Sequence, residues 1–419
     1  MKDKEKPRGN LIFVCGAFDE EKLGPLIRKS PQRASNTHQL ALIKGFLNYE
    51  NVDVYSLPYV GAYPKSFEEP RCNAYKVASF NGAPIFKPER ARFFNFPGLR
   101  FFSRFYLLLK YLAFNKDITK RTEILVYGAH TPFLLAVVIY KKVFKPVSTS
   151  ILITDLSEFM GQERSRVGLF FNLFKAVDSY FQKYLLKKFD KFVLLSELMY
   201  DRLGLCNKEF LVEEGVFDLD SLNVRNTTTE EPHKSVNHQP IFTVMYAGGL
   251  SKRNGILELV EAFVTYLPDC RLILCGYGEL SSYVEKLSAQ HSNVVYLGFV
   301  DQAKLFSMYP EVDVFINPRN SRSGDFVRYS FPSKTMEYLA FKKPLICYIL
   351  PGMPHDYEKL VFSINGEGAK PIADAVLKVK QSRGSEIEKK TSAASQFIAE
   401  KKNSRSVVSR IISFLNIDI

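Results

Sequence analysis

Glycines and cations gather at the ends of apolar runs in this 419-residue chain. The run Ile241–Tyr246 leads into Ala247-Gly248-Gly249-Leu250-Ser251-Lys252-Arg253-Asn254-Gly255. Glycines let a backbone approach a ligand closely, and amides at a helix start beside Lys252 and Arg253 favour phosphate. A second turn, Cys275-Gly276-Tyr277-Gly278-Glu279, follows the next apolar run on the same expected sheet edge; it lacks the third glycine and later acid of a dinucleotide fingerprint. Between Val314 and Ala340, a loop carrying Arg319, Arg322 and Arg328 runs into Ser330-Phe331-Pro332-Ser333 and a helix. Ser333 and Glu337 stand four residues apart and share a face, with Ser333 in the first turn where amides are free. Such a helix offers donors to a phosphate and a carboxylate to a sugar diol. The plainer reading makes Ser333 a cap, Glu337 a solvated acid and the Gly-Gly turn an ordinary connection. In the first half, His130 in GAHTP and Asp155 in TDL each follow an apolar run. A lone histidine there is more often structural, and Asp155 caps a helix as readily as it lines a site.

These residues need strands that end together. Short β-like runs alternate with helical runs, the pattern of parallel sheets with crossover helices. Strands are expected at 11–16, 52–58, 123–128, 150–154 and 191–196, then at 241–248, 270–276, 293–298, 312–318 and 343–349. Helices are expected at 37–47, 132–143, 196–203, 255–266, 280–288, 302–309 and 333–341. The polar stretch 222–240 reads as an interdomain linker. The expected organisation is a first domain at 1–221, the linker at 222–240, a second domain at 241–384 and a helical tail at 385–419. The fold class is α/β, two doubly wound parallel sheets facing a central cleft, with ligands beyond the carboxyl ends of the strands.

Hydrophobic residues at 46% and charged residues at 24% fit a globular protein of two or three domains. Six cysteines without a CxxC pair point to a reducing compartment and away from a structural zinc. The charged N-terminus lacks a signal-peptide apolar region, and the passage 124–140 is too short and interrupted to span a bilayer. The net charge of +13 is uneven: Lys87 to Lys191 holds 19 basic against 8 acidic residues. That segment includes FPGLRFFSRFYLLLKYLAFNK and RVGLFFNLFKAVDSYFQKYLLKKF, helices able to lie on an anionic membrane. The alternative is two ordinary helices with apolar core faces and solvated lysines. Nucleic acid is not expected, because the aromatics are mixed with leucine in helical runs.

The succession GGLSKRNGI, GYGEL, VVYLGFV, DVFINPR, SFPSKTMEYLAFKKPLI and GMPHDY resembles the nucleotide-sugar half of glycosyltransferase family 4, of the bacterial capsule and exopolysaccharide type. GAHTPFLLA, ITDLSEFMG, FVLLSELMYDRLG and FLVEEGVFD extend the resemblance more loosely, over roughly residues 10–365. It implies the GT-B architecture, two Rossmann-like domains, with donor in the C-terminal half and acceptor in the N-terminal half. Glu337 corresponds to the second acid of the family's E-x7-E motif, which holds the ribose diol; Tyr329 stands where the first acid is expected. Gly249 and Asn254 occupy positions of a basic pair, so neutralising the pyrophosphate falls to Lys252 and Arg253, or to Arg319. The resemblance makes His130, Arg253 and Glu337 catalytic. It assigns Gly248, Gly249, Lys252, Arg253, Gly276, Gly278, Arg319, Ser330, Ser333 and Glu337 to the donor, and Gly16 and Asp155 to the acceptor side.

By the same resemblance the reaction retains anomeric configuration and uses neither metal nor cofactor. The departing diphosphate accepts the acceptor hydroxyl's proton, while the protein neutralises phosphate charge and orients the sugar. The chain offers cations and glycine turns for this, with no DxD run at a strand end and no glycosidase-like carboxylate pair. The expected activity moves a sugar from UDP or GDP to a glycan or lipid-linked glycan, by a cytoplasmic protein peripheral on the inner membrane face. The rival expectations are a nucleotide-sugar 2-epimerase and a non-catalytic partner with the same fold.

Overall fold

Runs such as Leu11-Ile12-Phe13-Val14 are apolar on both sides of the pleat, as strands covered on both faces require. In the computed structural model, which describes residues 9–28, 33–80, 82–156, 158–159, 169–226 and 241–418, these four side chains are at most 2% exposed. The chain forms two compact units: one ends at Val216 and resumes at Ser404, the other is Phe217–Asn403.

The first unit runs β1 (Asn10–Cys15), α1 (Glu20–Leu23), α2 (Arg33–Phe46), β2 (Val52–Ser56), β3 (Arg71–Phe80), β4 (Ala83–Phe94) and α3 (Leu99–Phe114). It continues with β5 (Thr122–Tyr127), α4 (Thr131–Val143), β6 (Ser148–Ile153), α5 (Leu169–Leu186), β7 (Lys191–Leu194), α6 (Leu198–Leu203) and β8 (Glu209–Val212). Its sheet is ordered β4-β3-β2-β1-β5-β6-β7-β8. All pairings from β2 to β8 are parallel, so Leu11 lies between Val52 and Glu123. The strand order reverses at β1 and β5.

The second unit runs β9 (Phe242–Ala247), α7 (Ile256–Thr265), β10 (Cys270–Cys275), α8 (Ser281–Gln290), β11 (Val294–Tyr296), α9 (Gln302–Met308) and β12 (Val314–Asn317). It closes with α10 (Lys334–Ala340), β13 (Leu345–Cys347), β14 (Phe362–Ser363), α11 (Ala369–Gln381) and α12 (Gly384–Lys401). The sheet is parallel throughout, ordered β11-β10-β9-β12-β13-β14, and reverses at β9 and β12.

The expected strands are all present, shifted by up to two residues at their ends. The antiparallel hairpin β3–β4 was not anticipated. It sits at the sheet edge, mixes buried and exposed residues, and carries Pro84 and Pro88, which suits an edge strand and hides it from a search for apolar runs. The division of the chain also differs from the expected 1–221, 222–240, 241–384 and 385–419. Residues 219–226 form a 3-10 helix, and 227–240 lie outside the described residues. The stretch 385–419 is not one tail: α12 belongs to the second unit and α13 (Ser404–Leu415) to the first. There Val407, Val408, Ile411 and Leu415 are buried, and Arg410 donates to the buried Glu213 from Nη2, at 2.8 Å to Oε1 and 2.6 Å to Oε2, and from Nε, at 3.2 Å to Oε2. That apolar end therefore belongs to a core.

Candidate functional site

At the β9/β12 reversal, the loop after β9 lies beside the loop after β10. Gly248 N donates to the Cys275 carbonyl at 2.9 Å and Leu250 N to that of Tyr277 at 3.0 Å, extending the sheet pairing beyond the strands. This closeness explains two of the expected donor glycines. A Cβ on Gly276, whose φ is +130°, would stand 2.0 Å from the Gly248 carbonyl oxygen, and one on Gly278 would stand 2.1 Å from that of Leu250. Both glycines are required by loop against loop, whatever ligand binds.

Gly249 is exposed and its carbonyl is the hub of a small network. It accepts from Tyr246 Oη at 3.0 Å and from Asn254 Nδ2 at 2.7 Å, while Asn254 Oδ1 accepts from Arg319 Nη2 at 2.8 Å. The residue at the unusual position 254 thus ties the glycine loop to an arginine from the loop after β12. Arg253 and Arg319 both lie over the Phe326 ring, at 4.3 and 5.4 Å from its centroid. Lys252 lies beside them, its backbone N–H donating to Glu279 Oε1 at 2.9 Å. Lys252, Glu258, Asn320, Arg322 and Glu367 line an adjoining groove of about 300 Å³, across which Arg322 pairs with Glu367 at 2.6 Å.

Glu337 is not a solvated acid. α10 is only seven residues long, and its side chains from Thr335 to Ala340 are all buried. Tyr309, which follows α9, donates its hydroxyl to Glu337 Oε1 at 2.5 Å, and Lys334 Nζ reaches both carboxylate oxygens at 2.8 and 2.9 Å. Burial and the adjacent carboxylate push the Tyr309 phenol well above its ordinary range, so it remains a donor. Tyr338 on the same helix donates to the Ala247 carbonyl and accepts from its N–H, fixing α10 at the end of β9. Ser333 is exposed at the helix start and makes no side-chain cap; Ser330 Oγ is buried without a hydrogen-bond partner.

In the first unit, Gly16 and His130 follow β1 and β5, at the corresponding reversal. A Cβ on Gly16 would meet the Tyr59 ring at 2.2 Å, and Tyr59 Oη donates to the Tyr127 carbonyl at 2.6 Å. His130 packs edge-on against Tyr59 and Phe133, and burial together with Arg104 and Arg100 pushes its imidazole well below the usual range, leaving it neutral. Arg104 Nη1 donates to His130 Nε2 at 3.2 Å, which puts the imidazole proton on Nδ1. Asp155 is exposed after β6, in a narrow crevice with Ala129, Glu158, Lys183 and Arg202.

The residues not anticipated are Asn254, Phe326, Tyr309, Lys334 and Arg104. Lys334 was legible as an i,i+3 partner of Glu337. Tyr309 comes from 28 residues upstream and left no local signal.

Residues 241–382, about three quarters of the second unit, match the family model described as glycosyl transferases group 1. Over its length the chain has the fold of GT-B glycosyltransferases. It is similar to a sucrose-phosphate synthase from Thermosynechococcus elongatus, at 13% identity over 97% of this chain and 98% of that one, with a TM-score of 0.64. The catalytic domain of starch synthase IV from Arabidopsis thaliana, bound to ADP and acarbose, matches at 12% identity over 98% and 99%, TM-score 0.61. HepE from Anabaena in complex with UDP matches at 14% identity over 97% and 99%, TM-score 0.59. No curated protein sequence matches the chain significantly.

Proposed function

We propose that this chain moves a sugar from a nucleotide diphosphate donor, UDP or GDP, to a glycan or lipid-linked glycan, with retention of configuration and without a metal. The observation that carries this reading is the convergence of Arg253 and Arg319 on Phe326 beside the Gly248–Gly255 loop, next to a helix that holds Glu337 inside the unit. Two guanidinium groups held by a ring and by Asn254 are placed for the charge of a diphosphate leaving group. Among the described residues Glu337 Oε2 accepts a hydrogen bond from Lys334 alone and keeps acceptor capacity for a diol. The match of residues 241–382 to the group 1 family and the UDP and ADP of two structural neighbours support the donor class. The exposed Tyr277 and Phe299 rings, stacked 6.1 Å apart where β10 and β11 end, offer a base a surface. Turnover by Glu337→Ala and Arg253→Ala tests the assignment. Arg253→Ala is expected to cost roughly tenfold or more in donor affinity, the scale of a charged hydrogen bond; unchanged turnover by both variants rejects it.

The proposal extends to an anionic membrane surface. The outward side of α3 carries Leu99, Phe102, Tyr106 and Phe114, 47–77% exposed, with Lys110 between them. The outward side of α5 carries Val177, Tyr180 and Tyr184, with Lys187 and Lys188 following. α3 packs on α4 and α4 on α5, so these stripes share one helical layer. A helix that only covers a core is polar on its outer side, whereas an interfacial helix is not. Among the described residues no helix is long and apolar enough to cross a bilayer. Cosedimentation with phosphatidylglycerol vesicles is expected for the intact chain, and Phe102→Ser with Tyr180→Ser should abolish it; equal binding by that variant rejects this surface.

A further inference from the structure

Arg104 of α3 is 3% exposed, yet among the described residues its hydrogen-bond and ring partners are neutral. Nη2 donates to the Pro58 carbonyl, Nη1 donates to His130 Nε2, and the guanidinium lies 4.5 Å from the Phe93 ring centroid. Nε is buried without a hydrogen-bond partner, and among the described residues no carboxylate pairs with this side chain. The facing groups supply no counter-charge. Burial holds the Tyr59 phenol well above its ordinary range, pushes the Cys72 thiol up to about 12, and keeps His130 neutral. Arg100, one turn earlier on the same face, adds a second positive charge, and the Arg104 guanidinium is driven down to about 10 by burial and by Arg100. A buried cation without an anion is costly and calls for one. The pair is placed where β1, β2 and β5 end, at the strand-order reversal where α/β sheets receive ligands.

We infer that Arg100 and Arg104, with His130 between them and the β5 end, bind the phosphate of a phosphorylated acceptor. This rests on the glycosyl-transfer reading and narrows it: the acceptor brings an anion to the first unit, distinct from the diphosphate at Arg253 and Arg319. The phosphate belongs either to a soluble sugar phosphate or to a lipid phosphate, and the same two arginines serve both.

The test is calorimetric titration of glucose 1-phosphate into the intact chain already saturated with UDP, so that the donor site is filled. Saturable binding is expected, weakened at least about tenfold by Arg100→Gln and unchanged by Arg319→Ala. UDP affinity should be unchanged in Arg100→Gln. A parallel titration of phosphatidylcholine vesicles, with and without a polyprenyl phosphate, distinguishes the sources: tighter, Arg100-dependent binding to the doped vesicles assigns the lipid, and equal binding to both assigns the soluble sugar phosphate. If Arg104→Gln fails to fold, Arg100→Gln still decides. Normal UDP binding with no Arg100-dependent phosphate binding in either arm overturns this inference and leaves the transferase reading standing. Absence of UDP binding counts against that reading instead, and the phosphate titration is then read directly.

Discussion

The two sheets reverse their strand order in the same way and fill the reversal differently. At β9 and β12 the backbone does the filling: glycine loops lie against each other with no room for a Cβ, while Arg253, Arg319 and Lys252 stay at the surface or half-buried. At β1 and β5 side chains fill the space: Tyr59 lies over Gly16, His130 is wedged between rings, and the cation is buried. On the proposed reading, topology sets where an anion would meet each sheet, and the filling sets how much of its water that anion keeps. An open loop with solvated arginines suits a diphosphate that keeps part of its water. A buried guanidinium suits an anion that gives its water up.

If this contrast is right, adding one methyl group at each reversal should hurt unequally. Gly276→Ala puts a Cβ 2.0 Å from a backbone oxygen at a φ of +130°, so neither the neighbour nor the backbone has an easy escape. We expect a loss of roughly 3 kcal/mol or more in urea denaturation. Gly16→Ala meets the Tyr59 ring instead, which can tilt at the expense of its hydrogen bond to Tyr127, for about 1–3 kcal/mol. The reverse ranking would mean that the first reversal is the more rigid one.

Next in size is Glu337→Gln. It removes the charge that Lys334 pairs with while preserving shape, and Lys334 is about one third exposed, which limits the penalty. A loss of about 1–2 kcal/mol is expected, against a larger fall in donor affinity. Stability loss with full donor affinity would make Glu337 a structural acid and sharpen the contrast differently: the second reversal would then be served by arginines alone.

Much of this contrast is legible in the amino-acid sequence. Continuous apolar runs mark strands buried on both faces, so both sheets and the loops at their ends follow from local pattern. Gly276 and Gly278 are legible as glycines but not for their reason, since the atoms that forbid a Cβ come from Gly248 and Leu250, a strand away. Local spacing puts Glu337 on the right helix but leaves it looking solvated, because its partner Tyr309 has no local spacing to it. Arg104 reads as one more cation in an aromatic helix. Its burial depends on Phe93 in the edge hairpin, whose mixed pattern and prolines hide it.

Acid should reach the first reversal in proportion to its burial. His130 is held well below the ordinary range, and His38 is lowered to about 4 by burial, whereas both titrate near 6.5 in the unfolded chain. Below pH 6.5 the unfolded chain binds more protons than the folded one, so stability falls as pH drops and is level above that point. The loss is at most about 1.4 kcal/mol per pH unit for each histidine. Urea midpoints at pH 7.5 and 5.5 should separate for the parent chain, and His38→Gln should narrow the gap. A gap unchanged by His38→Gln would show that the His38 ring is not held neutral by burial.

The smallest expected effect is the most informative about how the second reversal acquired its charge. Gly249 has an ordinary φ, and a Cβ there meets only the Asn254 side-chain amide, at 3.2 Å. Gly249→Ala should therefore change stability by no more than about 0.5 kcal/mol, so no packing demand keeps glycine at this position. Its carbonyl instead anchors Asn254, which holds Arg319. If Arg319 supplies the charge that a side chain at position 249 would otherwise bring, Gly249→Arg should restore much of the donor affinity lost in Arg319→Ala. The double variant, compared with both single variants by titration with UDP, measures that exchange. Additive losses would mean that the two positions serve different parts of the ligand, and that the Asn254 bridge positions Arg319 for something other than the diphosphate.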